Sequence, residues 1–157
     1  MGGRKHPRGF WGYPACLWAT AFGGLHFYWA LGGRRGLGVS AGDALAAERP
    51  LWFVVAGLWG VGALCLVGGL LGWALARRPL RGRRGQLLRW AGWGVAAVLL
   101  LRAAGVEILL LSDVTQMGAS ISDGQRWWTL ALWNPWFAVG GVAFACAAFK
   151  AGRCPSS

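Results

Sequence analysis

LWFVVAGLWGVGALCLVGGLLGWALA, residues 51–76, runs for 26 residues without one charged side chain. A helix of that length is about 39 Å long, more than the roughly 30 Å of hydrocarbon in a bilayer. Water-soluble helices bury one apolar stripe and wet the other face. This stretch offers no polar face to wet, so it reads as a membrane-spanning helix.

Working outward from it, three more stretches reach spanning length, at about residues 10–33, 89–111 and 129–149. What remains of the 157 residues is scattered in pieces too short for a second core. The sequence therefore predicts an all-α integral membrane protein: a single domain over 1–157, folded as a bundle of four transmembrane helices. A signal peptide cleaved near Ala44-Leu45-Ala46 is a poor alternative, because the first apolar run is too long for one and ends well before that site.

The basic residues set the direction of threading. Arg4, Lys5 and Arg8, then Arg77, Arg78, Arg81, Arg83, Arg84 and Arg89, then Lys150 and Arg153 make 11 cations with no acid among them. The other two connections hold Arg34, Arg35, Arg49 and Arg126, offset by Asp43, Glu48, Asp113 and Asp123. Positive loops stay in the cytoplasm, so both termini are expected inside, in a plasma (inner) membrane crossed four times. A net charge of +11 would also suit nucleic acid, but here the cations sit between lipid-length runs. Their expected partners are the bilayer and its anionic head groups along the Arg-rich loop, not nucleic acid. Fourteen arginines against two lysines, with abundant Gly and Ala, fit a high-GC bacterial genome.

Between the spans the signals are local. Ser40 followed by Asp43 has the form of a capping box, predicting a short interfacial helix from Ala41 to about Arg49, closed by Pro50. Residues 77–89 read as a tight basic turn, and 112–126 as an irregular loop. Asn134-Pro135 suits a helix start, which would leave Trp127 to Trp133 along the interface; a continuous kinked helix is the alternative. Gly68 with Gly72, and Gly141 with Ala145, are small-residue pairs of the kind that let membrane helices approach closely.

Polar side chains inside the spans mark the candidate ligand-binding site: His26, Tyr28, Arg102, Glu107 and Asn134. Measured along their helices, His26 stands about 8 Å before Leu31, Glu107 about 6 Å and Arg102 about 14 Å before Leu111. Asn134 stands about 10 Å past Trp127. All fall in the outer half of the bilayer. Arg102 and Glu107 lie about 140° apart on one helix, so each needs a partner elsewhere. An unpaired arginine at that depth costs about 2.5–3.5 kcal/mol on insertion scales. A structural polar cluster, an arginine reaching for the interface and a ligand site are the three readings of this pattern.

Other chemistry finds no residues to carry it. One intramembrane histidine cannot ligate a haem on both faces, and no His, Cys and acid cluster has metal-site spacing. Cys16, Cys65 and Cys146 fall in the inner half, Cys154 follows the last span, and no C-x-x-C occurs. No cofactor, metal site, catalytic residue or disulfide is expected.

The segment Gly24-Leu25-His26-Phe27-Tyr28-Trp29-Ala30-Leu31-Gly32-Gly33 resembles the opening signature of a bacterial membrane family catalogued as domain of unknown function 3995. Leu101 to Gly105, and Trp133-Asn134-Pro135-Trp136-Phe137 with Gly140-Gly141, are similar to further features of that family. The resemblance covers roughly Trp18 to Phe149, implies a small four-helix membrane protein, and brings no activity. The leading expectation is a non-enzymatic accessory or assembly component acting through helix contacts on a membrane-protein partner. The alternative is binding or modification of a lipophilic ligand at the outer polar cluster. A transporter subunit is third, resting on His26 and Glu107 each lying 18 residues after Arg8 and Arg89.

Overall fold

A computed structural model describes residues 10–77, 82–111 and 123–152, and every element among them is helical. Helix α1 is Gly12–Ala30. Two short helices follow, α2 (Leu37–Ala41) and α3 (Asp43–Glu48). Helix α4, Phe53–Arg77, opens with a wide-turned π-helical segment, Phe53–Gly60. Helix α5 is Gly82–Leu111, and α6 runs over Gly124–Ala151 with a second π-helical segment at Thr129–Trp133. Helices α4, α5 and α6 are each long and apolar enough to cross a membrane. Only 17%, 11% and 33% of their most apolar windows are buried inside the protein, so most of that carbon faces outward. Lipid is the surrounding that such a surface requires.

Helix α1 is the inward member of the set. Ala15, Trp18, Ala19, Phe22, His26 and Trp29 recur at three- and four-residue steps and are buried. The helix packs on α4 along one side and α6 along another, while α5 pairs with α6. Its core contacts are aromatic: the Trp18 ring lies 5.8 Å from that of Trp136, and Trp18 Nε1–H donates to the Trp136 carbonyl at 2.8 Å.

Glycine sets the α1–α4 spacing. A Cβ added at Gly72 would stand 2.6 Å from the backbone nitrogen of Cys16, and one at Gly69 would stand 2.9 Å from Thr20 Oγ1. The backbones can meet this closely only because no side chain intervenes, which maximises dispersion contact between helices. The seam on α4 is Gly62, Cys65, Gly69, Gly72 and Ala76, a repeat of alternating three and four residues. Gly72 of the expected Gly68–Gly72 pair belongs to it. Gly68 lies beside it, in ordinary contact with Ala19 and Phe144. Gly141 of the second pair lies against α5, where a Cβ would stand 2.6 Å from Leu100 Cγ.

Three local expectations need correction. Helix α5 starts at Gly82, not near Arg89, so Arg83 and Arg84 lie on its first turn. Arg, Gln and Leu are strong helix formers and outweigh the single Gly85. The predicted Ala41–Arg49 helix is broken by Gly42 (φ 92°, ψ 148°), a conformation open to glycine. Ser40 does not cap it: its hydroxyl donates to the Gly36 carbonyl at 2.5 Å, on its own helix. Finally, α6 runs continuously through Asn134-Pro135, and Asn134 makes no capping bond. The π-helical turn before the proline explains the continuity. Asn134 N–H reaches back to the Thr129 carbonyl, and this widened turn accommodates a residue that has no N–H and crowds the preceding turn. The loop read over 112–126 lies outside the described residues as far as residue 122, as do Asp113, Cys154 and the amino-terminal cations.

A candidate ligand site between two π-helical segments

The carboxyl end of α1 is tied down by its own side chains and by a distant arginine. Trp29 Nε1–H donates to the Arg35 carbonyl at 2.8 Å. Arg49 Nη2 donates to the Trp29 carbonyl at 2.5 Å, adding a second donor to an oxygen that also accepts the Gly32 N–H at 3.1 Å. Arg49 takes a left-handed backbone (φ 46°) to do so, at a cost of about 1–2 kcal/mol. With this end fixed, α2 folds back over the gap between α1, α4 and α6.

That gap is a cavity of about 180 Å³. Phe22, His26 and Trp29 of α1 form one wall, and Leu37, Ser40 and Ala41 of α2 another. Phe53, Gly57 and Leu58 come from the π-helical segment of α4; Thr129 and Trp133 come from that of α6. Arg102 and Phe137 complete the wall. Both departures from α geometry in the long helices thus face the same cavity. A π turn resets which side chains face inward, and such turns are frequent at functional sites.

His26 is held in one orientation. It is only 9% exposed, with Phe22 and Trp29 packed edge-on at centroid distances of 4.6 and 5.3 Å. Its Nδ1 lies 2.9 Å from the Phe22 carbonyl, which can only accept, so Nδ1 carries the proton. In the neutral ring Nε2 then keeps a lone pair, and no protein group among the described residues engages it. Arg102 reaches from α5 across to α6, where its guanidinium carbon lies 4.6 Å from the centroid of Phe137. A cation over an aromatic face gains about 0.5–2 kcal/mol, but no carboxylate among the described residues neutralises this one.

The five candidate residues do not form one polar cluster. His26 and Arg102 share the cavity. Asn134 is 2% exposed, outside the cavity wall, and neither its Oδ1 nor its Nδ2 has a hydrogen-bond partner among the described residues. Tyr28 is 44% exposed, with its ring over Gly33, and Glu107 is exposed on α5. The reason is angular. Two residues separate His26 from Tyr28 and five separate Arg102 from Glu107, spacings that place them on different helix faces.

Trp133, read from the sequence as an interface anchor, belongs to the cavity wall, and its buried Nε1–H has no acceptor among the described residues. Ser40 and Thr129 supply hydroxyls; Thr129 donates to the Gln125 carbonyl at 2.8 Å, so what it offers the cavity is oxygen lone pairs. The Asn134-Pro135 pair was the available signal for a disturbed helix here. Among the described residues no three His, Cys, Asp or Glu side chains gather to hold a metal ion.

The class this architecture defines is a small all-helical membrane protein with three long apolar helices. Residues 19–144 match the family described as protein of unknown function (DUF3995), and the chain belongs to that family. No curated protein and no solved structure matches the chain.

Proposed function

We propose that the protein is a non-enzymatic binder of a lipophilic ligand with an oxyanion head group. In this reading the chain crosses the plasma membrane four times with both termini in the cytoplasm, α1 being the fourth span beside α4, α5 and α6. A 19-residue helix is about 28 Å long, close to the hydrocarbon thickness. The cavity lies where α1 and α5 end and α4 and α6 begin, which the arginine distribution assigns to the outer half of the membrane. Arg83 and Arg84, exposed at the opposite end, contact anionic head groups of the inner leaflet.

The observation that carries the reading is the meeting at one cavity of two groups left unmatched among the described residues: the Arg102 cation and the His26 Nε2 lone pair. A cation and an acceptor complement a phosphate monoester monoanion, which has charged oxygens for Arg102 and one P–O–H to donate to Nε2. The Ser40 and Thr129 hydroxyls both donate to backbone carbonyls and have no base activating them, which favours binding over chemistry. The accessory-subunit reading loses support because Gly72 and Gly69 are used inside the chain, against α1, and are not offered to a partner.

Native mass spectrometry of protein released gently from membranes tests the proposal. Wild type is expected to retain an anionic lipophile that Arg102→Ala has lost, with His26→Ala retaining less than wild type. Equal occupancy, or none, in all three would end it.

A further inference from the structure

Resting on that reading, we propose that the ligand is a single-chain amphiphile whose hydrocarbon tail leaves the cavity through the groove between α1 and α6. A second hollow of about 230 Å³ lies against the first, lined by Ala21, Phe22, Leu25, Leu132, Trp133 and Trp136. Phe22 and Trp133 border both spaces. Their rings, 6.0 Å apart between centroids, are therefore the partition between a chamber holding His26 and Arg102 and a crevice lined by carbon. No ionisable side chain lines the crevice. Ala21 and Leu132 are exposed, so it opens sideways into the surrounding lipid.

Head and tail sort by chemistry. A charged head lowers its energy beside Arg102 and Nε2 of His26, while a tail in the crevice exchanges lipid contacts for equivalent protein contacts at little cost. Helices α1 and α6 are direct neighbours, and the space between them is a single hollow of about 230 Å³. A diacyl lipid would have to leave its second chain outside.

The test uses the full chain in nanodiscs and dodecyl phosphate bearing a mid-chain diazirine. Photolysis is expected to label peptides containing Leu25 and Leu132. Unlabelled dodecyl phosphate should compete at least tenfold better than dioleoyl phosphatidic acid, and laurate should compete if a carboxylate head serves as well. Ala21→Phe and Leu132→Phe, each filling one side of the crevice at an exposed position, should each cut labelling at least tenfold while leaving thermal stabilisation by methyl phosphate intact. Labelling that spreads to Leu101 on α5 and ignores both substitutions would overturn the tail placement alone. A wild-type protein that methyl phosphate does not stabilise would overturn the head-group reading beneath it.

Discussion

Two helix hairpins make up the described protein, α1 with α4 and α5 with α6, and they are alike at one end and different along their length. At the cavity end each uses the same device. Arg49, just before α4, donates to the Trp29 carbonyl near the end of α1; Arg126, at the start of α6, donates to the Leu110 carbonyl near the end of α5. Each returning helix then carries a π-helical segment, Phe53–Gly60 or Thr129–Trp133. Along the seams the hairpins part. The first is joined backbone to backbone through glycine, the second through side chains such as Leu100 set against Gly141. The first also supplies the cavity with a hydrogen-bonded histidine, the second with a cation lacking a carboxylate. Matched ends and unmatched seams teach that the cavity is built to one plan from both sides, while the closest backbone-to-backbone approach lies in the first hairpin.

The glycine seam gives the largest expected effect. Gly72→Leu forces α1 from α4 and should cost about 3 kcal/mol, seen as a large fall in melting temperature in detergent. Gly94→Leu on α5, with open space around it, should leave the melting temperature within a degree or two. Equal damage from both would mean that the Gly72 contact does not set the α1–α4 spacing.

Arg102→Leu sharpens the contrast between the polar contributions. Removing an arginine that no carboxylate among the described residues neutralises should raise the stability of ligand-free protein by about 1–2 kcal/mol while abolishing ligand retention. A destabilised variant would mean that the cation has a structural partner.

The shared capping device predicts that Arg49→Ala and Arg126→Ala each lose about 1.5 kcal/mol, the worth of a hydrogen bond from a charged donor. Arg49→Gly should lose about 1 kcal/mol less than Arg49→Ala, because glycine accepts the left-handed backbone freely. Thermal unfolding of the three variants side by side checks both statements.

The smallest effects separate the two buried polar side chains. Asn134→Leu, of similar volume, removes two unsatisfied amide atoms and should stabilise by about 1 kcal/mol. His26→Leu breaks the bond to the Phe22 carbonyl and should destabilise by a similar amount. Opposite signs are the expected result of denaturation midpoints measured under one condition.

The amino-acid order by itself determined the helical class, the long apolar runs and the family. Hydrocarbon thickness and the burial cost of charge act on linear sequence, so they can be read from it. It also pointed to Asn134-Pro135 as a disturbed place, though the disturbance is a π-helical turn inside one continuous helix. Only the tertiary structure decided which polar residues meet. His26 and Arg102 come to one cavity, while Tyr28, Glu107 and Asn134 turn elsewhere, because a helix rotates about 100° per residue and a π turn resets that count. The glycine seam likewise became visible only against Cys16 and Thr20 on another helix, since a small residue is a contact only when something approaches it.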